Sequence, residues 1–230
     1  MTAIQYVDTC PSTMDVAREA FGPDTVDFYT IATSRQTKGR GRLGRVWTTL
    51  PDHSLAFTVC VKDPTAEQLP LVTALSIAEG LQDVAKESFD IKWPNDVLKG
   101  GLKVAGILTE KHQRGFLVGV GVNLTKPENI PADFPGGFAL KGPQPPQQVL
   151  ETLLAALQAR VNQLRAQGWG ALAVAYTQKC ITLGQTVHWH TGKKVVEGQA
   201  LGLDSSGALE LKTDEGIRLV TGGEIIAQAL

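Results

Sequence analysis

The sequence has almost no net charge: 22 Lys and Arg against 23 Asp and Glu leave −1 over 230 residues. Proteins dedicated to nucleic acid or membrane surfaces ordinarily carry a large basic excess, so any such role here has to be local. Cysteine is scarce as well. Cys10, Cys60 and Cys180 lie far apart, without CxxC or Cys/His metal spacing, and read as reduced structural thiols of a cytoplasmic protein. The four histidines form no ligand set, and His188 and His190, either side of Trp189, read as one face of a strand. No run of about 18 apolar residues predicts a transmembrane helix. The start, MTAIQYVDTCPSTMD, lacks the basic and apolar regions of a signal peptide. What remains is an ordinary globular composition, 43% hydrophobic and 20% charged, enough for one substantial domain and a small second one.

Against that background one stretch stands out, Gly39-Arg40-Gly41-Arg42-Leu43-Gly44-Arg45-Val46-Trp47. Ordering glycine costs backbone entropy and ordering arginine costs side-chain entropy, so a core gains little from interleaving them. A ligand gains more: glycines admit close backbone approach, and guanidinium forks pair with carboxylate or phosphate oxygens. The stretch reads as an anion-binding loop, with a solvated basic turn as the plainer alternative. Gly39-x-Gly41-x-x-Gly44 also matches the dinucleotide fingerprint, but that motif needs a helix directly after the glycines. Val46-Trp47-Thr48-Thr49 and a proline follow instead, between strands predicted over Thr25–Ser34 and Ser54–Val61.

The rest of the chain supplies polar groups at element ends. Ser12 and Thr13 open a short helical stripe, with Asp15 in its first turn; Ser12 is either a cap or part of a helix N-terminus facing a ligand. Leu71, Leu75, Ala78, Leu81 and Val84 predict a helix within Glu67–Lys86, and a leucine-rich stripe predicts another over Val149–Gln167, continued at Trp169–Tyr176. Lys92 ends a strand and meets Trp93-Pro94-Asn95-Asp96, where Asn95 and Asp96 either build a turn or offer oxygens to a hydrated Mg²⁺ while Lys92 meets phosphate. A hairpin follows, with Lys103–Lys111 going up and Phe116–Asn123 returning. Lys103 is either a solvent charge or a cation aimed into a site whose floor is kept open by Gly106 and by the Gly119-Val-Gly121-Val-Asn123 strand. Residues 124–147 are rich in Pro and Gly and predict an irregular excursion, with Phe134 or Phe138 covering a ligand or pinning the loop. From Gly184 the texture changes to short strands at Thr186–His190, Val195–Leu203, Ala208–Leu211 and Ile217–Val220. Turns at Thr191-Gly192, Ser205–Gly207 and Asp214–Gly216 separate them, and Gly222-Gly223-Glu224 closes the last turn of an expected small β-barrel.

Taken together, Ser12-Thr13, Gln36 followed by GRGRLGRVW, Lys92-Trp-Pro-Asn-Asp96, Lys103-Val-Ala-Gly106, Gly119–Asn123 and the terminal Gly-Gly-Glu resemble the biotin protein ligase family over nearly the whole chain. The resemblance implies an α+β fold. It comprises a mixed, mostly antiparallel sheet with flanking helices, like class II synthetases and biotin/lipoate ligases, over residues 1–183, and an SH3-like barrel over 184–230. It implies ATP-dependent joining of biotin, through biotinyl-5′-AMP, to a lysine of a biotin carboxyl carrier domain, with Mg²⁺. By the same match Ser12, Thr13 and Gln36 hydrogen-bond the ureido ring, and Met14 belongs to the same biotin-binding set. Gly39, Arg40, Gly41 and Arg42 close over biotin and nucleotide, Lys103 touches the biotin carboxylate and Gly106 leaves it room. Arg42, Arg45, Trp47, Lys92, Asn95, Lys103 and Asn123 lie near ATP, and Asp96 near Mg²⁺. Lys103, Arg40 and Arg42 then carry catalysis by neutralising charge.

Three features depart from the family pattern. The ligase motifs begin within a dozen residues of Met1, so no DNA-binding repressor domain is expected. Met14 stands where many members have Asn. Ile225-Ile-Ala-Gln228 lacks the arginine that in some members follows Gly-Gly-Glu and helps bind nucleotide. Relatives include monomers and dimers, which leaves a homodimer open. The nearest rival is a lipoate ligase, which lacks the GRGRxGR signature; a non-catalytic nucleic-acid-binding module is the rival from another class.

Overall fold

The computed structural model describes residues 3–63, 67–132, 134–191 and 194–227. The described residues form an α+β fold of two sheets and four helices. The first sheet has the order β1 (Ile4–Tyr6), β2 (Tyr29–Thr33), β3 (Ser54–Val61), β7 (Gly115–Asn123), β6 (Leu102–His112), β5 (Asp96–Lys99), β4 (Asp90–Lys92). Only β1 and β2 run parallel; every other neighbouring pair is antiparallel.

Why β3 is buried along its whole length follows from what covers it. Side chains alternate across a strand, so Leu55, Phe57, Val59 and Val61 meet one layer while Cys60 meets another. The first layer is α2 (Leu69–Ala85) and α3 (Pro146–Gln167), which cross closely at Gly80, where a Cβ would stand 2.8 Å from a Leu153 methyl. Arg160 locks that crossing through two bonds to Glu79, at 2.6 and 2.8 Å. The second layer is α1 (Thr13–Ala20) alone, resting Met14, Ala17 and the following Phe21 on Ile31, Cys60 and Leu117. Eight residues span about 12 Å, so α1 covers only part of this face. The uncovered part, over β7, β6 and β5, is where the cavity lies.

Helix ends match their local chemistry. Ser12 caps α1, its hydroxyl accepting from the Met14 N–H at 3.3 Å. Pro70 and Pro146 sit in the first turns of α2 and α3, where a missing N–H costs nothing. α2 closes on Lys86 in the left-handed region, φ 56°, its N–H reaching Gln82 O at 2.8 Å. α4 (Gly170–Lys179) then carries the chain behind β4 to the second sheet, order β11 (Gly216–Val220), β10 (Leu209–Thr213), β9 (Val195–Leu203), β8 (Thr186–His190), β12 (Glu224–Ala227). Val187, Ala200, Leu209, Leu211 and Ile225 join the main core, so the two sheets share one apolar interior.

Several expectations shift. The strand expected from Thr25 starts at Tyr29, because Phe28 turns the chain with φ 61°. The strands β1 and β5 were not legible, and Glu224 begins β12, paired with β8, rather than merely ending a turn. The second sheet is antiparallel throughout, with β11 and β12 as its two edges. Gly192 of the expected Thr191-Gly192 turn and Gln228 lie outside the described residues.

Candidate active site

The glycine-arginine stretch is a small hairpin. Its stem runs beside the residues before α1, with Thr37 N–H on Cys10 O at 3.0 Å and Lys38 N–H on Pro11 O at 2.8 Å. Beyond the stem it folds back on itself. Trp47 N–H reaches Gly39 O at 3.0 Å, Gly41 N–H reaches Arg45 O at 2.7 Å, and a 3₁₀ turn at Arg42–Gly44 forms the tip. Gly39 is obligatory at the root: a Cβ there would lie 2.4 Å from Trp47 O. It is buried behind the flap and does not line the cavity, unlike the other expected site residues.

Under this flap lies a cavity of about 470 Å³. Its floor is β6 and β7. Gly119, Gly121 and Asn123 alternate onto one face, and Gly106 is the cross-strand partner of Gly121. The Trp47 indole lies on that glycine shelf: a Cβ at Gly121 would meet ring atoms at 2.3 to 2.7 Å, and one at Gly106 would meet the ring at 3.1 Å.

One end of the cavity carries hydroxyls and an amide. Gln36 Oε1 accepts from the Thr13 N–H at 2.8 Å and the Thr13 hydroxyl at 3.2 Å, and the Thr58 hydroxyl donates to Thr13 Oγ1 at 2.8 Å. Ser12 and Met14 line the same end. This network fixes the Gln36 carbonyl toward the protein, which leaves its amide N–H groups as the donors on offer. The other end is charged: Lys92, Asn95, Asp96 and Lys103 stand there with Asn123. Lys103 Nζ bonds Asp96 Oδ1 at 2.7 Å and sits 5.6 Å from the Trp47 ring centre, above Gly106. The Asn95 amide donates to Ile107 O at 2.7 Å, while Asn123 donates to Gly137 O at 3.2 Å and its Oδ1 is buried without a partner. A buried acceptor without a partner is uncommon in a folded protein, and this one belongs to a residue that lines the charged end of the cavity.

The three arginines of the flap reach three different elements. Arg40 forks onto both oxygens of Asp15 in α1, at 2.7 and 2.8 Å. Arg42 donates to Asn95 Oδ1 at 2.7 Å and to Gly223 O at 3.1 Å. Arg45 pairs with Glu224 of β12. These contacts set the local acidities. The Arg40 hydrogen bonds hold the Asp15 carboxyl below its usual range, and the Arg45 hydrogen bond does the same for Glu224. Burial pulls Arg42 down, opposed by the charges of Asp96 and Glu224.

The turn at Trp93–Asn95 is held from behind. Trp93 N–H reaches the Thr182 hydroxyl at 2.9 Å, its indole N–H reaches Gly207 O at 3.2 Å, and the fully buried Tyr176 donates to Pro94 O at 3.2 Å. Of these residues, Tyr176 and Thr182 gave no signal in the sequence. Nor did the partners Asp15 and Glu224 announce themselves as flap contacts, although Asp15 was legible as a first-turn carboxylate. Among the described residues no cluster of three His, Cys, Asp or Glu side chains gathers for a metal. Magnesium that travels with a triphosphate needs only one or two protein carboxylates. Asp96, at the charged end of the cavity, offers one such carboxylate.

The comparisons with known proteins agree with this arrangement. The pattern of the "Biotin/lipoate A/B protein ligase family" matches residues 7–126, and that of the "Biotin protein ligase C terminal domain" matches residues 182–227. A biotin--[acetyl-CoA-carboxylase] ligase of Paracoccus denitrificans is 32% identical over 85% of this chain and 88% of its own. One of Mycobacterium tuberculosis is also 32% identical, over 92% of this chain and 83% of its own. Among solved structures, the biotin protein ligase from Aquifex aeolicus in complex with biotin and ATP superposes with a TM-score of 0.87 at 26% identity, covering 99% of both chains.

Proposed function

The chain belongs to the biotin/lipoate A/B protein ligase family, and from that membership and the cavity we infer that it is a biotin–carboxyl carrier protein ligase. In the first step a biotin carboxylate oxygen attacks the α-phosphorus of ATP, forming biotinyl-5′-AMP and releasing pyrophosphate. In the second the ε-amine of a carrier lysine attacks the acyl carbon, forming the amide and releasing AMP.

The observation that carries this reading is the position of Lys103, an ammonium above Gly106 at the charged end of a cavity whose other end carries Thr13 and Gln36. Two anions must meet there, and positioning with charge neutralisation is what lowers such a barrier. The reaction requires no enzyme nucleophile. Thr13, Ser12 and Gln36 hold the ureido ring, Met14 packs beside it, Gly106 leaves room for the acid, and Gly121 seats the Trp47 indole. Lys103 and Arg42 bridge carboxylate and α-phosphate, while Lys92, Asn95, Arg45 and the unpartnered Asn123 oxygen serve the nucleotide. Magnesium bound with ATP at Asp96 supplies further charge neutralisation on the phosphates. Trp47 and the flap Gly39–Arg42 keep water from the mixed anhydride until the lysine arrives.

Residues 1–183 form the catalytic unit and 184–230 an SH3-like barrel in this reading, with a class II synthetase-like sheet in the first. The partner is the biotinyl domain of a biotin-dependent carboxylase, met in the cytoplasm. Lipoate is disfavoured because a dithiolane has no groups to match Thr13 and Gln36. Pyrophosphate release from ATP and Mg²⁺ is the test: release with biotin and not with lipoate or without acid is expected, and release with lipoate alone would overturn the assignment.

A further inference from the structure

We propose that Asp15 is a positioning residue of the ligase, the rim anchor that holds Arg40 and so keeps the flap shut over biotinyl-5′-AMP. The inference rests on the ligase reading for the identity of what is retained, and on geometry for the anchor itself.

Three observations converge. The flap is three glycines and three arginines in nine residues, so its own packing does little to hold it; Leu43 at the tip is 71% exposed and Val46 79%. Beyond the stem bonds at Thr37 and Lys38 and the Trp47 seat on the glycine floor, its closed position depends on its arginine contacts. Of these, Arg42 lies within the reaction centre and Arg45 reaches β12, which leaves Arg40–Asp15 as the tie to α1. That tie engages both carboxylate oxygens with both terminal guanidinium nitrogens, at 2.7 and 2.8 Å, the fork-on-fork geometry that fixes orientation as well as distance.

Asp15 also sits in the helical turn that begins with Ser12, Thr13 and Met14, the residues at the ureido end. Head-group recognition and flap closure thus meet on one rigid turn. A ligand that seats against this turn supports the helix end that carries the anchor. Arg40, committed to Asp15, acts on the ligand by holding the flap rather than by contact with phosphate.

Another role is open to Asp15, since a carboxylate in a first turn complements the helix dipole and Arg18 lies one turn on. A double-variant cycle separates the two. Asp15→Asn, Arg40→Ala and the pair are compared in two assays: tryptic cleavage after Arg42 and Arg45 in the ligand-free protein, and loss of preformed biotinyl-5′-AMP to solvent. Each single variant is expected to accelerate both by about two- to fivefold, the range for a partly exposed ion pair, and the pair is expected to match Arg40→Ala alone. Unchanged cleavage in Asp15→Asn overturns the anchor, as does an Asp15→Asn effect that persists in full when Arg40 is already alanine. Faster cleavage with unchanged adenylate loss overturns the retention role. Should the wild-type protein form no adenylate, the ligase reading fails, while the cleavage assay still decides the anchor.

Discussion

Replacing Gly121 with alanine tests whether the glycine floor exists to seat Trp47 and the ligand. The added methyl would lie 2.3 Å from Cε2 of the indole, 2.5 Å from Nε1 and 2.7 Å from Cζ2. Carbon atoms rest about 3.5–4.0 Å apart, so the ring has to retreat by roughly 1 Å or more. Overpacking inside a rigid core costs about 1–3 kcal/mol. Here the struck group ends a flap with an exposed tip, so most of the clash is relieved by the flap lifting. The expected result is therefore a change in binding rather than in folding. Biotin affinity measured by calorimetry should fall by about tenfold, or about 1.4 kcal/mol, with the urea midpoint nearly that of the wild type. Gly106→Ala is the control, because its methyl meets chiefly the mobile end of Lys103, at 2.9 and 3.0 Å; it should affect pyrophosphate release more than biotin affinity. Biotin binding within twofold of wild type in Gly121→Ala would refute the reasoning, and so would a loss of more than about 3 kcal/mol of stability, which would place the clash in the core.

Other predictions follow from single contacts. Lys103→Met removes a cation from between two reacting anions and leaves Asp96 unneutralised; a unit charge at about 4 Å is worth about 4 kcal/mol at an effective dielectric of 20. Pyrophosphate release should fall at least a hundredfold with the unfolding midpoint unchanged, and turnover within tenfold of wild type would remove Lys103 from the chemistry. Tyr176→Phe leaves Pro94 O without its 3.2 Å partner, costing about 1–2 kcal/mol. Because Pro94 precedes Asn95 and Asp96, KM for ATP should rise while that for biotin holds, and equal changes in both would contradict the link. All three cysteines are buried, and burial pushes the Cys60 thiol up to about 12. A thiol reagent at mildly alkaline pH should find none of them until urea unfolds the chain, and prompt labelling of the native protein would be inconsistent with this packing.

How much of this was legible depends on the range over which each feature is encoded. β8 and β9 carry their own alternation, and α2 and α3 carry leucine stripes, so all four were readable from local pattern. The floor was readable too, since glycines at 119 and 121 and Asn123 fall on one face by period two. β1, with three residues, and β5, with four, are too short for a pattern, and exist because neighbouring strands offer hydrogen bonds. Gly222-Gly223-Glu224 signals only a turn; that Glu224 opens β12 and pairs with β8 is a tertiary fact.

The site divides in the same way. The chemistry-bearing residues were visible because arginine beside glycine, or lysine at the start of an apolar strand, is locally anomalous. Their partners were not: Asp15 lies 25 positions from Arg40, and Glu224 lies 179 from Arg45. Neither carboxylate is unusual where it stands, one in a helix first turn and the other at the start of an edge strand. This asymmetry is what a closing flap requires. Its cations must be free enough of local partners to serve a ligand, so the groups that hold it come from elements the loop meets only when folded. Asp15 ties the flap to α1 through Arg40, and Glu224 ties it to β12 through Arg45. Closure is then a property of the assembled fold, with α1 and β12 each holding one side of a loop whose own sequence favours motion.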